Sequence, residues 1–525
     1  MVLAALLAAP GQVPVPLPAR PRAALALAHA HARPELLPVP ALLAAAVALP
    51  LPQPPAGPAA PPEEPWPPVR VIAAAAHDVL SVPPGRRCQT RYLSLAEVPA
   101  AERAEFLQVL SGHLNGFGRR TRLFAPVVVP GTAGRLARIY LDTYGPHLKP
   151  VWERLTSPYE HVTIETVTPW AGGVWPQDGQ YYAAGTFRVR EKQRALAPWL
   201  SAGPGGKEAL AALVGATETK CPLVNASWFL WQTAVQEGRG RTGYYDFLGV
   251  KDRKSFEALV RFDGKLAADL EQRRVVVFSG ITQEPRRVER TATVLGGLWR
   301  TFDSALAQDK HNPARVLNGD LEFDVTEQIA ALPSGMPAFL LADSKGVRQD
   351  KAPDSIVAGD RASARDGRLH INLSCIRCHY AGTARVLLDI KAVPIRRLAS
   401  PDYQKFEQLA DLYLRDLAPL LERDRAGFEA AIKAASGGLS PAEYAAAYAR
   451  AYARYDTARV DLEQAARQFG CPPAVLRRGL VAQEAAGTLD PLASILLAGD
   501  AIPIRQFEEI QSALYSATVG GGAAP

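Results

Sequence analysis

The pattern of apolar and polar positions predicts that the globular part of this 525-residue chain begins near Pro83 with a small β-α-β-β unit. Residues Arg91–Leu95 alternate between apolar and polar, as expected of a strand. The segment 99–115 carries apolar residues at helical spacing, and the runs 126–129 and 136–141 are typical of two further strands. The amino-terminal half is therefore expected to mix helices with strands.

Further apolar runs predict buried helices at 225–236 and 255–262 and buried strands at 274–278 and 338–341. The preceding stretch, Trp170–Pro204, is rich in Gly and Trp and is expected to form loops or an insertion. These elements continue the mixed helix and strand character into the middle of the chain.

The carboxy-terminal part has the pattern of an all-helical domain. Residues Ser440–Glu443 form a capping box with proline at the first helical position, which predicts the start of a long helix. This helix is expected to end at Gly470 and to carry Tyr444, Tyr448 and Tyr452 on one face. A stripe of this kind indicates packing rather than a path for electrons.

The most specific chemical signal is the segment Cys375-Ile376-Arg377-Cys378-His379. Its Cys-x-x-Cys-His arrangement is the one that attaches c-type haem: two thiols form thioethers to the haem, and the adjacent histidine ligates the iron. With 5 Cys and 9 His in the chain, random placement predicts only about 0.001 occurrences of this spacing. We therefore expect Cys375 and Cys378 to anchor one covalent haem c and His379 to be its proximal ligand.

Two other uses of the cysteine pair stay open. A zinc site needs two more ligands, but Cys88, Cys221 and Cys471 are scattered singly and no closely spaced histidine pair follows the motif. A thioredoxin-like dithiol would sit at the start of a helix after a strand, and the run Leu369–Leu373 could be such a strand.

Covalent haem c is attached on the outer side of the bacterial inner membrane, so this interpretation requires export. The first 82 residues are rich in Ala, Pro and Leu, and Ala41–Leu49 is an apolar run of the length of a signal core. We expect an export signal followed by a proline-rich tether, with a low-complexity leader as the alternative. No later run of about 18 apolar residues predicts a membrane-spanning helix beyond an uncleaved signal. The expected location is periplasmic or exported, including tethering to the outer face of the inner membrane.

The net charge of +7 is spread over the chain without a run of Lys or Arg. This distribution argues against nucleic-acid binding and is compatible with docking of an acidic redox partner protein.

The sixth iron ligand cannot lie after the motif, because neither Met nor His follows His379. The speculative distal ligands are therefore Met336, in a loop expected between a helical segment and a strand, or an upstream histidine, of which His370 is the nearest in sequence. The other upstream histidines considered are His113, His147, His161 and His311. If no side chain fills the position, the iron is open to a small ligand, and an acid such as Glu289 would be needed for peroxidase-like chemistry.

Several blocks, in order over about Thr90 to Ala513, resemble a group of bacterial cytochrome c domain-containing proteins that carry one haem and have no settled physiological role. The most specific blocks are Leu332–Met336, Phe339–Asp343, Asp350–Pro353 and Asn372–His379. Earlier blocks are Arg91–Leu95, Leu114–Asn115, Arg138–Gly145, Ser227–Phe229, Tyr244–Leu248, Ser279–Ile281, Arg287, Glu289–Arg290, Trp299 and Phe302–Asp303. The family often has leucine at the position of Met336 and histidine at that of Thr291. The resemblance implies haem c binding and export, and no established reaction.

We therefore predict an α+β protein in four parts. Residues 1–82 form the export signal and leader, 83–330 an amino-terminal mixed α and β region, 331–395 the haem c attachment region, and 396–518 an all-helical carboxy-terminal domain.

The expected function is electron transfer, since no catalytic constellation accompanies the haem. The alternatives are a haem enzyme or small-ligand sensor with an open sixth position, and a non-haem scaffold or binding protein whose cysteine pair is structural.

Overall fold

The computed structural model gives the chain as a mixture of helices and sheets. The residues described are 66–155, 160–164, 167–169, 173–174, 181–182, 187–189, 192–237, 242–262, 273–278, 285–305, 309–311, 321–353, 367–380 and 417–519. The predicted signal segment Ala41–Leu49 lies outside them, as does most of the chain between the Cys-x-x-Cys-His motif and residue 417.

The helices and strands are numbered separately in chain order. The helices are α1 (Pro68–Ser81), α2 (Pro84–Arg87), α3 (Arg103–Asn115), α4 (Leu141–Tyr144), α5 (Leu148–Trp152), α6 (Gly206–Thr217), α7 (Ala226–Ala234), α8 (Tyr244–Leu248), α9 (Arg253–Leu259), α10 (Leu373–Tyr380), α11 (Ala418–Ala435), α12 (Pro441–Asp456), α13 (Leu462–Gln468), α14 (Pro473–Ala485), α15 (Pro491–Ala498) and α16 (Ile504–Thr518). Short 3-10 turns lie at Ala100–Glu102, Pro198–Ser201 and Asp309–His311.

The strands are β1 (Thr90–Ser94), β2 (Val127–Val128), β3 (Leu136–Tyr140), β4 (Glu160–Ile164), β5 (Val167–Pro169), β6 (Gly173–Val174), β7 (Tyr181–Tyr182), β8 (Phe187–Val189), β9 (Lys192–Leu196), β10 (Leu223–Asn225), β11 (Arg273–Phe278), β12 (Pro285–Thr293), β13 (Gly296–Asp303), β14 (Val325–Ala331), β15 (Pro337–Asp343), β16 (Arg459–Val460) and β17 (Ile502–Pro503).

The predicted β-α-β-β unit is confirmed. Strand β1 pairs antiparallel with β3, which pairs with β2, and α3 connects β1 to β2. Strand β10 adds a fourth, parallel strand beside β1. The helices predicted at 225–236 and 255–262 appear as α7 and α9. The expectation of loops at Trp170–Pro204 is wrong in part, because strands β6 to β9 fall in that stretch.

Strands β11 to β15 form a five-stranded antiparallel sheet in sequential order. In its last pair, Glu327 lies opposite Leu341 and Ile329 lies opposite Phe339. The turn between β14 and β15 is closed by the Leu332 amide, which donates to the Met336 carbonyl oxygen at 2.8 Å. Met336 therefore lies in a β-hairpin turn, and the expected helical segment before it is a strand.

The folded part of the chain begins earlier than the predicted Pro83, because helix α1 already spans Pro68–Ser81. Helix α1 packs against α6 with an apolar face of small and branched residues. On the same helix, the Asp78 carboxylate accepts hydrogen bonds from Arg138 Nη1 at 2.8 Å and from the Tyr92 hydroxyl at 2.7 Å. These buried contacts with the first sheet make residues 68–82 part of the fold rather than of the leader.

The capping box is confirmed at the start of α12, where Ser440 Oγ accepts from the Glu443 amide at 3.3 Å. The predicted end at Gly470 is wrong, because α12 stops at Asp456. After that residue the chain enters β16, which pairs with β17, and Asp461 then caps the separate helix α13.

The carboxy-terminal helices share their core with the amino-terminal region. Helix α12 packs against α3, α7 and α10. The Tyr444 hydroxyl donates to the Val109 carbonyl oxygen at 3.1 Å, and Trp231 Nε1 donates to Asp456 Oδ1 at 3.2 Å. Residues 63–525 accordingly form one compact unit. Among the described helices, none combines the length and apolar character needed to cross a membrane.

Candidate functional site

The Cys-x-x-Cys-His motif lies on the short helix α10, and Asn372 sets the point where that helix begins. Asn372 has a φ of +62°, a left-handed conformation that asparagine tolerates better than most residues. Its side-chain amide donates to the Ala234 carbonyl oxygen at 2.9 Å and to the Tyr448 hydroxyl at 3.3 Å. The motif is therefore tied to α7 and α12 immediately before its first cysteine.

The helix brings the three predicted site residues to one face. Cys378 follows Cys375 by three residues and His379 follows it by four, the spacings that make side chains neighbours on a helix. Cys375 is 2% exposed, whereas Cys378 is partly exposed and the His379 side chain is 24% exposed. The face thus passes from the protein interior at Cys375 to the surface near His379.

An acid from the five-stranded sheet faces this group. Glu327, on β14, has Oε1 3.2 Å from His379 Nε2. The Cys375 thiol donates to the same oxygen at 3.7 Å. One carboxylate oxygen therefore bridges the imidazole and the buried thiol.

The electrostatics of Glu327 are set by its neighbours. Burial alone would raise its pKa, but the charge and hydrogen bond of His379, together with Arg286, lower it to about 2. Burial and the nearby Glu327 charge raise the pKa of Cys375 well above its usual range. At neutral pH, Glu327 is thus a carboxylate, and Cys375 is a neutral thiol.

Phe339, on β15, lies against the imidazole. Its ring is stacked on that of His379 with a centroid separation of 5.9 Å and an angle of 30°. The backbone of this strand is held by two buried tyrosines: the Phe339 amide donates to the Tyr244 hydroxyl at 2.9 Å, and the Leu341 amide donates to the Tyr245 hydroxyl at 2.9 Å. The sheet therefore presents a fixed aromatic surface to the motif.

Aromatic rings continue from this site into α12. Tyr380 lies 6.2 Å from Phe339 and 5.7 Å from Tyr444, and Tyr444 lies 5.8 Å from Tyr448, as centroid distances. The Tyr448 hydroxyl is 2.9 Å from His113 Nδ1. The predicted tyrosine face of α12 is buried, which confirms that it packs against the core.

The two speculative distal ligands lie elsewhere on the elements around the motif. Met336 is 1% exposed in the β14–β15 turn, whose Gly335 approaches Ala431 of α11. His370 is 2% exposed and precedes α10, at the opposite end of that helix from His379. The structure does not bring either residue together with the imidazole, and both assignments stay predictions.

The other histidines considered as ligands are engaged in the fold where their side chains are described. His113 Nε2 lies 2.6 Å from Thr233 Oγ1, and burial lowers the pKa of His113 to about 3. His147 Nε2 lies 3.1 Å from the Phe247 carbonyl oxygen, and burial lowers the pKa of His147 to about 4. His311 pairs with Glu322 at 3.4 Å, and the side chain of His161 lies outside the described part. Glu289, considered as a distal acid, pairs with Arg287 at 3.2 Å.

The donor set on α10 fits the attachment of haem c. Two thiols and one imidazole share a helix face, and an aromatic ring lies beside the imidazole. His379 Nε2 is at present taken by Glu327, so iron ligation through that nitrogen must replace this hydrogen bond.

Two structural observations concern the alternative uses of the cysteine pair, a zinc site and a thioredoxin-like dithiol. Within the described residues, no three His, Cys, Asp or Glu side chains are grouped so as to hold a metal ion. A thioredoxin-like unit would need a strand at Leu369–Leu373. In the structure, this run forms an isolated β-bridge between His370 and Lys351.

Sequence reasoning missed Glu327. The only trace in the sequence is a single acid in the otherwise uncharged strand Val325–Ala331, where its neighbours are Thr326 and Gln328. Only the register of β14 against β15 and the packing of α10 reveal that this acid faces His379.

The chain was compared with family models, curated proteins and solved structures. No family model matches the chain, and no curated protein or solved structure matches it.

Proposed function

We propose that this protein is an exported c-type cytochrome that carries one covalent haem and transfers electrons to or from a partner protein. The observation that carries the proposal is the common helix face of Cys375, Cys378 and His379. When bound, the haem supplies a one-electron carrier in its iron. Covalent attachment requires export, so the expected location is periplasmic, with the leader as signal and tether.

The protein's own residues have distinct parts in this proposal. Cys375 and Cys378 hold the macrocycle, and His379 provides the proximal nitrogen. Before the cofactor is attached, Glu327 is hydrogen-bonded to the His379 imidazole. After attachment, Arg286 is the positive charge that remains near the Glu327 carboxylate. Phe339 fixes the ring plane of the imidazole by stacking.

The test is expression of the exported chain together with haem-maturation machinery. A denaturing gel stained for covalent haem should give a band for the natural chain and none for the Cys375→Ser, Cys378→Ser double variant. The matched control is Cys221→Ser, Cys471→Ser, which removes one buried and one partly exposed cysteine outside the motif and should keep the band. Sharp ferrous absorption peaks would mark a low-spin c-type cytochrome.

A second candidate, a haem enzyme or small-ligand sensor with an open sixth position, is favoured by the placement of the ligands. Met336 is packed in a hairpin turn, His113 and His147 are engaged in the core, and no Met or His follows His379. Rapid binding of carbon monoxide to the ferrous protein and a high-spin spectrum would support this candidate. Slow binding with a low-spin spectrum would support the electron carrier.

The third interpretation, a scaffold with a structural cysteine pair, makes the opposite prediction. No haem-staining band under conditions that mature a control cytochrome would overturn both haem proposals.

A further inference from the structure

The side chain of Glu327 has two hydrogen-bond partners within the described part of the chain, and both belong to the Cys-x-x-Cys-His motif. Its Oε1 accepts from the Cys375 thiol at 3.7 Å and lies 3.2 Å from His379 Nε2. The side chain is only 14% exposed, so little of it is in contact with solvent. The Glu327 carboxylate is therefore held by the two groups that haem attachment changes.

Covalent attachment of haem removes both hydrogen bonds. A thioether sulfur at Cys375 carries no hydrogen, and His379 Nε2 has no N–H group once it ligates iron. A buried carboxylate that lacks hydrogen bonds and a paired positive charge is strongly disfavoured. After attachment, Glu327 accordingly needs a new partner.

The neighbours of Glu327 on the five-stranded sheet do not provide this partner in the described structure. Arg286 donates to both carboxylate oxygens of Asp303, at 2.7 and 2.8 Å, and so acts on Glu327 through its charge. The residues directly opposite Glu327 on the adjacent strands are Thr301 and Leu341. The Thr301 hydroxyl donates to Asp303 at 3.3 Å, and the Leu341 side chain is apolar.

The position of Glu327 relative to His379 is that of a second ligand on the far side of a metal ion. Oε1 is hydrogen-bonded to Nε2, so it lies in the direction in which that nitrogen presents its proton or its lone pair. Two donors on opposite sides of one metal ion lie about 4 Å apart, since each metal–ligand bond is about 2 Å long. The present separation of 3.2 Å is within about 1 Å of that value. A water molecule between the metal ion and the carboxylate would require about 7 Å.

We infer that Glu327 is the sixth ligand of the haem iron, with its carboxylate on the opposite side of the iron from His379. The inference rests on the proposed attachment of haem c and assigns the position that the electron carrier and the open-site candidates treat differently. The negative charge of Glu327 stabilises ferric more than ferrous iron. Because a carboxylate oxygen is a weak-field ligand, the ferric natural protein should be high-spin.

The test replaces Glu327 by stronger ligands in the exported, haem-matured full chain. Glu327→His offers the iron a second imidazole, so the ferric absorption and electron paramagnetic resonance spectra should change from high-spin to low-spin. Glu327→Met should create a near-infrared methionine band that the natural protein lacks. Both variants gain a signal, so their readout does not depend on a loss that misfolding would also cause.

The matched control is Glu289→His, at a second buried acid of the same sheet. The strand register puts Glu289 in line with Gln328, the residue after Glu327, and therefore on the opposite face of the sheet. The control should keep the high-spin spectrum. A low-spin spectrum in the control as well would overturn the assignment, because ligation would then not be specific to position 327.

Removal of the carboxylate gives an independent readout. Glu327→Ala should open the sixth position, so the ferric variant should bind added imidazole at least tenfold more tightly than the natural protein does. Imidazole is used because it is a neutral ligand, and its affinity reports the vacant position more directly than that of an anion. Equal affinities of the variant and the natural protein would show that Glu327 does not occupy the position.

Two further outcomes would overturn the inference and leave the proposed function intact. A covalent haem band with a ferric spectrum that Glu327→His and Glu327→Met leave unchanged would place Glu327 away from the iron. A low-spin ferric spectrum of the natural protein would assign the sixth position to a stronger ligand. The absence of a haem-staining band for the natural chain would instead overturn the proposed function itself.

Discussion

His379 Nε2 lies 3.2 Å from Glu327 Oε1, so the nitrogen that the motif offers to iron is held by a carboxylate of the neighbouring strand. A buried carboxylate that loses its only cationic partner is strongly destabilised. Glu327 keeps Arg286 nearby, which favours its charged form when the imidazole leaves. Under the proposed function, the pair would order the motif in the haem-free protein, and His379 would be free to ligate iron once this hydrogen bond is broken.

The first prediction concerns the haem-free protein and Glu327→Gln. The folded-state pKa of Glu327 is about 2, below the value of about 4.3 in an unfolded chain. Its contribution to stability is therefore present above pH 4.3 and is lost as the pH falls through about 2. We expect the variant to lower the free energy of unfolding by about 3 kcal/mol at pH 6, with a smaller difference at pH 3, in urea titrations.

Glu322→Gln is the matched control, because Glu322 pairs with His311 at 3.4 Å on the surface, with both side chains more than a third exposed. Its effect should stay within the roughly 0.5 kcal/mol of an exposed pair at both pH values. Equal effects of the two variants would contradict the special role of the Glu327–His379 contact.

The second prediction concerns Met336→Leu in the haem-loaded protein. Because Met336 packs in the β14–β15 turn, we expect the visible and near-infrared spectra to stay unchanged and the stability to fall by less than about 1.5 kcal/mol. The measurement is the ferric spectrum with and without the substitution. A near-infrared methionine band in the natural protein that disappears in the variant would instead identify Met336 as the distal ligand.

The elements that could be predicted from the sequence are those with strong local signals. Strand β1, helix α7 and the capping box at Ser440 depend on alternation, apolar density and a local hydrogen bond, and the structure has all three. The end of α12 could not be predicted. It depends on the pairing of Val460 with Ile502, a contact between segments far apart in the sequence.

The same distinction applies to the site. The spacing of Cys375, Cys378 and His379 is local, and the helix puts the three side chains on one face as the motif requires. Glu327 and Phe339 reach the imidazole only through the register of two strands and the packing of α10 on them. No local pattern encodes that register.

The third prediction tests the shared core of the two halves through Gly112, on α3. A Cβ at this position would clash with the ring of Tyr444, whose hydroxyl is bound to the Val109 carbonyl oxygen and holds the ring in place. Gly112→Ala should therefore lower the free energy of unfolding by about 1–3 kcal/mol. The control is Gly427→Ala, on the exposed face of α11, where a Cβ meets no atom within 4 Å and helix propensity should raise stability by about 0.5–1 kcal/mol. Chemical denaturation measures the free energy of unfolding of both variants. An unchanged value for Gly112→Ala would mean that α12 does not pack tightly on α3.

The fourth prediction compares two buried tyrosines of α12 that differ in their hydrogen bonds. The Tyr448 hydroxyl is 2.9 Å from His113 Nδ1 and accepts from the Asn372 amide at 3.3 Å, so Tyr448→Phe leaves a buried ring nitrogen without its partner. The expected loss is about 1–3 kcal/mol. The Tyr455 hydroxyl has no partner among the described residues, so Tyr455→Phe should leave the melting temperature unchanged or slightly raised. Differential scanning calorimetry of both variants decides the matter. A larger loss for Tyr455→Phe than for Tyr448→Phe would contradict this prediction, because it would show that the Tyr455 hydroxyl is already hydrogen-bonded in the fold.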